Sequence, residues 1–202
     1  MEIILMRHGR PDIVRSDALG SRDMPGWISR YDEADTGTDL PPEASRELAA
    51  RAGIVISSDL PRALSSLKAL GCEPVQIDAL YREAELPVHH VGRLRLSPLA
   101  WSGIFRVLWL CGLSGHAETL RTAKQRAAKA AENLATLAGN TQNPVLLMGH
   151  GMMNRLIART LIRHGWREIR KPDKGYWGRG SIVVRTSQAH LYGPLLLQVK
   201  TP

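Results

Sequence analysis

The tripeptide Arg-His-Gly occurs twice in this chain, in EIILMRHGRPD (residues 2–12) and in RTLIRHGWREI (residues 159–169). An imidazole can serve as nucleophile, general base or metal ligand, and an adjacent guanidinium can hold an oxyanion. The surroundings of each copy decide which one does chemistry. The first follows a continuous apolar run, the pattern of a strand buried on both faces. The second closes a helical pattern, MMNRLIARTLIRHG, with Leu156, Ile157, Leu161 and Ile162 as an apolar stripe. Gly165 there fits the left-handed position past a helix end, and His164 falls in the last turn, where a partly positive imidazole suits the helix dipole. That role accounts for His164 without any reaction.

Two further apolar runs, GIVISS and PVLLMGH, read as buried strands. The first runs into ISSDLPRAL and puts Arg62 at the start of the next helix. The second runs into LMGHGMMNR and puts His150 at a strand end, with a helix just after it. Three buried strands thus deliver Arg7 with His8, Arg62, and His150 to what reads as one edge, where ligands bind in open α/β sheets. Two guanidiniums, two imidazoles and helix N-termini around one point form an oxyanion site, most simply for phosphate.

The elements that must hold this site alternate between strand and helix, which implies a layered α/β sheet. Helices are expected over residues 41–52, 60–70 and 116–139, the last with Gly139 as its C-cap. SIVVR and LLLQV near the end read as two more strands, an edge hairpin. Residues 16–42, rich in Asp, Gly and Pro, read as a long loop. The 202 residues are 44% hydrophobic, enough for one compact domain over residues 1–202. SPLAWSGIFRVLWLCGL (97–113) falls short of the roughly 20 residues of a spanning helix and contains Pro98, Gly103 and Arg106. It reads as a buried or capping helix, with a membrane-surface or partner-binding face as the other reading.

A net charge of +8 favours anionic ligands without choosing among them. The N-terminus lacks the pattern of a signal peptide, and Cys72 and Cys111 form no metal-ligand motif, so a cytoplasmic location with free thiols is expected. No P-loop, dinucleotide fingerprint, HExxH or nucleophile-elbow motif is present. His89 and His90 are adjacent and cannot face one metal from a regular element, so they read as part of a loop. Residues 163–180 mix six Arg or Lys with Trp166, Tyr176 and Trp177. Such interleaving can bind single-stranded nucleic acid, but the segment reads as a solvated surface loop beside the sheet.

LMRHG, SSDLPRA, YREAELP and MGHG, in this order and spacing, resemble the histidine phosphatase superfamily, also called phosphoglycerate mutase-like. The resemblance implies a three-layer α/β/α sandwich with a mostly parallel central sheet. It also implies a metal-independent phosphomonoesterase that forms a phosphohistidine on His8. Arg7, Arg62 and His150 would hold the phosphoryl oxygens, and Gly9 and Gly151 would let the backbone approach the anion. The acid that protonates the leaving group matches Glu83 best, with Glu85 as the alternative. The chain also departs from the family. RHGRPD stands where many members continue with Glu and the mutases reach a Trp-Asn pair, LPVHHVGRLRL stands after the acid, and Ser65-Ser66 stands where a threonine is usual. A distinct cap over the pocket, residues 86–115, is therefore expected. The partners expected are a small phosphorylated substrate, no membrane and no nucleic acid, with a homodimer as the assembly considered; no cofactor and no metal is expected. Mutase-type transfer and protein phosphohistidine dephosphorylation are the alternative activities, and a non-enzymatic anion- or nucleic-acid-binding module is a remote one.

Overall fold

The computed structural model describes residues 1–13, 17–170 and 175–184. Its strands are β1 (Glu2–Arg7), β2 (Leu19–Gly20), β3 (Ile54–Ser57), β4 (Gln76–Ile77), β5 (Arg95–Leu96), β6 (Val145–Gly149), β7 (Trp166–Arg170) and β8 (Arg179–Val184). Its α-helices are α1 (Met24–Glu33), α2 (Glu43–Ala50), α3 (Pro61–Leu70), α4 (Pro98–Leu110), α5 (Leu120–Gly139) and α6 (Gly151–Arg163).

Among the described residues, one six-stranded sheet runs in the order β4-β3-β6-β1-β8-β7. β4, β3, β6 and β1 pair in parallel, and β8 is antiparallel to both its neighbours. The apolar run of β1 is buried on both faces, and its period of two sorts it between two cores. Ile3 and Leu5 join Val145 and Leu147 against α5 and α6. Ile4 and Met6 join Leu146 and Met148 against Ala49 of α2 and Ala63 and Leu67 of α3. This is a three-layer α/β/α sandwich. The face of α5 is mostly alanine, so it lies close on α6.

The parallel register sets the functional edge. Arg7 stands opposite Gly149 and Ser57 opposite Met148, so β1, β3 and β6 end level with one another. His8, Ser58 and His150 follow at the same edge.

A third apolar cluster, Met24, Trp27, Trp101 and Phe105, joins α1 to α4 apart from the sheet cores. The short ribbon of β2 and β5 ties the two segments together.

Three expectations change. Residues 16–42 are not one long loop, because Met24, Trp27, Ile28 and Tyr31 recur at helical spacing and form the inner face of α1. Pro25 sits in the first turn, where its missing N–H costs nothing. Residues 163–180 are not a solvated loop either. They contain β7, and Trp166 and Trp177 are buried. Gly139 ends α5 from inside the helix, and Asn140 takes the cap. Gly165 does adopt a left-handed φ of 86°, with His164 capping α6. The expected strand LLLQV lies outside the described residues.

Candidate active site

The end of β1 delivers Arg7 and His8 as the chain leaves the sheet. The backbone there is tied on both sides: His8 N–H donates to Gly149 O at 3.1 Å, and His8 O accepts from Trp177 N–H at 3.1 Å. The His8 side chain is only 2% exposed. Its Nδ1 lies 2.7 Å from Gly9 O. A carbonyl only accepts, so Nδ1 carries the proton and Nε2 of the neutral ring carries the lone pair. Burial, reinforced by the Arg62 and Arg7 charges and opposed by the Gly9 hydrogen bond, pushes the imidazole down to about 3. His8 is therefore neutral at physiological pH.

His150 is fully buried, and its ring centroid is 5.0 Å from that of His8. Burial holds it well below the ordinary histidine range, the neighbouring His8 ring opposes a proton on both imidazoles at once, and the charges of Arg62, Arg7 and Arg126 add to that. Its Nε2 meets Ser58 Oγ at 2.9 Å. Ser58 Oγ also accepts from Leu60 N–H.

Arg62, at the start of α3, is 2% exposed and is received by α1. One guanidinium nitrogen donates to Tyr31 O at 3.1 Å and to Asp32 Oδ1 at 3.0 Å, and the group lies 4.8 Å over the Tyr31 ring. Arg7 lies in the same way over Tyr176, 4.6 Å from the ring centroid. Among the described residues Arg7 Nε, Arg62 Nε and His150 Nδ1 are buried without a hydrogen-bond partner. Buried donors are seldom left so. A tetrahedral oxyanion would offer acceptors for such a set.

Glu83 comes to the site from a different direction. Its Oε1 accepts from the backbone N–H groups of Ala84, Met152 and Met153 at 2.9–3.0 Å, and its Oε2 from Met152 N–H at 3.0 Å. The carboxylate thus sits on the N-terminus of α6, where the helix dipole favours it. A Cβ placed on Gly151 would stand 3.6 Å from Arg7 Nε and 3.7 Å from Glu83 Oε2, so this glycine marks the point where the two groups meet. Arg126 fixes the approach. Its guanidinium donates to the carbonyls of Leu80, Arg82 and Glu83 and to the Glu118 carboxylate. Glu85 is exposed, and its Oε2 accepts from Glu118 N–H at 2.6 Å.

Gly9 has a packing reason of its own: a Cβ there would lie 2.5 Å from the Trp177 ring, so the packing of Trp177 requires glycine. Trp177 has a left-handed φ of 58° and is pinned by a 2.8 Å bond from Nε1 to Asp39 Oδ2. This fixes Tyr176 beside the site. Ser66 accepts from Gly9 N–H at 2.8 Å and donates to Arg62 O, so it locks the Arg-His-Gly turn onto α3.

Arg7, Arg62 and Glu83 open into a cleft of about 330 Å³ whose outer walls are α1 (Trp27, Ile28, Tyr31, Asp32), α4 (Leu99, Ser102, Arg106) and Tyr176. Glu85 is also on its wall; His8 and His150 are buried and are not among the residues that line it. His89 bonds Leu113 O, and His90 lines a neighbouring cleft; the two histidines diverge. No group of three or more His, Cys, Asp or Glu gathers in metal-holding geometry among the described residues. Sequence reasoning missed Tyr31, Asp32, Arg126 and Tyr176. Only Tyr31 carried a signal, as part of the overlooked helical pattern.

The family model of the histidine phosphatase superfamily (branch 1) matches residues 3–184. The chain belongs to the histidine phosphatase superfamily. Its fold recurs in a phosphoserine phosphatase from Entamoeba histolytica solved with phosphoserine, at 16% identity and TM-score 0.56 over 92% of this chain and 91% of that one. It recurs in a protein described as mycobacterial hydrolase 1, at 15% identity and TM-score 0.54 over 89% of each chain. A phosphoglycerate mutase from Thermus thermophilus matches at 20% identity, with TM-score 0.46 over 79% of this chain and 83% of that one. At these identities the likeness to solved structures is one of fold. No curated protein sequence matches this histidine phosphatase family member.

Proposed function

We propose that this chain is a phosphomonoesterase that hydrolyses a small phosphorylated substrate through a covalent phosphohistidine on His8. The observation that carries the reading is the tautomer of His8: a buried, neutral imidazole with Nδ1–H held by Gly9 O and the Nε2 lone pair left for attack. Nε2 forms a bond to phosphorus as the ester oxygen leaves. The unpartnered Nε groups of Arg7 and Arg62 receive the equatorial oxygens. Ser58 Oγ can donate to His150 Nε2, which places the second imidazole's proton on the unpartnered Nδ1, a third donor to the same oxygens. Donors fixed before the reaction act on the charge that develops, each worth roughly 3–4 kcal/mol.

Glu83, once it has taken up a proton on Oε2 as the substrate binds, passes that proton to the leaving oxygen and then takes one back from the water that attacks the phosphohistidine. Oε2 is the oxygen for this task, because it accepts one hydrogen bond where Oε1 accepts three. Glu85, held outward by the Glu118 amide, is the weaker candidate. Within residues 86–115, α4 acts with α1 as a cap that sets which leaving groups reach the site.

Phosphate release from a panel of phosphorylated metabolites, with His8→Ala as the blank, tests the reading. Release that needs His8 and persists in a chelator supports it. Isomerisation of a monophosphoglycerate with little phosphate release would favour mutase-type transfer instead, and restoration of a chelated enzyme by a divalent ion would count against a histidine nucleophile.

A further inference from the structure

The exposed side of α4 carries no polar side chain. Leu99, Ala100, Gly103, Ile104, Val107, Leu110 and Cys111 fall within about 140° of one another on a helical projection, and all are exposed. Leu99 is 71% and Val107 60% exposed. The opposite side, Trp101, Phe105 and Trp109, is fully buried. Apart from Ser102 and Arg106 the helix is apolar, and half of it faces outward. Val91, Leu94 and Leu113 continue the exposed apolar surface on the flanking turns.

Charge indicates what covers it. From Leu86 to Ala117 the chain has no Asp or Glu, while Arg93 and Arg95 stand exposed beside the apolar residues of β5 and its turn. A second copy of this chain would bring the same arginines to the face with no carboxylate in the segment to pair them. An anionic lipid headgroup layer pairs with them directly, and its acyl boundary takes the apolar residues. We propose that α4 lies in the plane of an anionic lipid surface and docks the protein there. The helix has 13 residues, about 20 Å, so it lies on a bilayer rather than spanning it. Among the described residues no helix is long and apolar enough to cross a membrane. The same helix supplies Leu99, Ser102 and Arg106 to the cleft, so docking brings the cleft mouth to the edge of the lipid.

The test is sedimentation of the full chain with vesicles of phosphatidylglycerol and phosphatidylcholine, compared with phosphatidylcholine alone. This readout does not depend on any phosphatase activity. The expected result is binding to the anionic vesicles that weakens with salt, is much weaker on the neutral ones, and falls at least about tenfold in Val107→Glu/Leu110→Glu. Both positions face outward on α4, so the variant should keep its circular dichroism and its hydrolysis of nitrophenyl phosphate. The proposal is overturned if the wild type stays in the supernatant, if binding ignores lipid charge, or if the folded variant binds as well as the wild type. It is also overturned if the wild type is a dimer that the variant dissociates, which would assign the face to a second copy.

Discussion

Glu83→Gln separates the acid from a merely structural carboxylate, and its two effects can be worked out from the hydrogen bonds. The amide oxygen of glutamine can take the place of Oε1 and keep the bonds from Ala84, Met152 and Met153. The amide nitrogen then stands where Oε2 accepted from Met152 N–H, and two donors face each other. One charge-assisted bond is lost, worth about 2 kcal/mol. For a chain of this length that lowers Tm by roughly 4–8 °C. The catalytic effect is separate. A general acid contributes about 10²–10⁴-fold, and only where the leaving oxygen needs the proton. An alkoxide needs it and a nitrophenolate hardly does. Glu83→Gln should therefore slow an alkyl phosphate by about that factor and nitrophenyl phosphate by less than about tenfold. Single-turnover rates for both substrates, measured below the lowered Tm, give the ratio. Glu85→Gln should slow both weakly and alike, because Glu85 spends its Oε2 on the Glu118 amide. Equal losses on the two substrates in Glu83→Gln would refute the acid role, and a leaving-group-dependent loss in Glu85→Gln would move the role there.

His8→Ala should abolish hydrolysis of an aryl phosphate, whereas His164→Ala, at the end of α6, should leave most of it; the reverse result would mean that the wrong Arg-His-Gly was assigned. The folded chain binds fewer protons at His8 than the unfolded chain between pH about 3 and 6.5, so this contribution to stability is complete above that window and is lost as pH falls through it. Urea titrations at pH 7 and pH 4 should show a larger loss for the wild type than for His8→Gln, by a few kcal/mol, and an equal loss would contradict the buried neutral imidazole. Gly9→Ala should cost about 1–3 kcal/mol, because its methyl would strike the Trp177 ring, while Gly103→Ala, with open space around it in α4, should add about 0.5–1 kcal/mol. Thermal melts of the two variants that move in the same direction would contradict this packing.

The three buried strands were legible because continuous apolar runs followed by Arg, His and Gly leave little choice of element or edge. Arg7, His8, Arg62 and His150 came with them, since each stands within a few residues of a strand end. Glu83 was legible only as one of two adjacent acids. What separates them in the fold is the Met152 and Met153 amides, some 70 residues away, which donate to Glu83, and no local pattern shows that. Tyr31 and Asp32 were hidden because the Pro, Gly and Asp residues around α1 masked its helical spacing. Tyr176 and Trp177 were hidden because a basic stretch with aromatics reads as surface until β8 carries it back beside β1. Arg126 stands on a helix that presents as ordinary solvated charge, and its role exists only in its bonds to the backbone of residues 80–83.

The central claim is a phosphoryl group carried on His8 Nε2, and rapid quench with radiolabelled substrate tests it most directly. The wild type should trap label on the protein in a form stable to alkali and released by acid, as a phosphorus–nitrogen bond on imidazole requires, and His8→Ala should trap none. Label that persists in His8→Ala, or a wild type that turns over substrate while trapping nothing at any time point, would contradict the account.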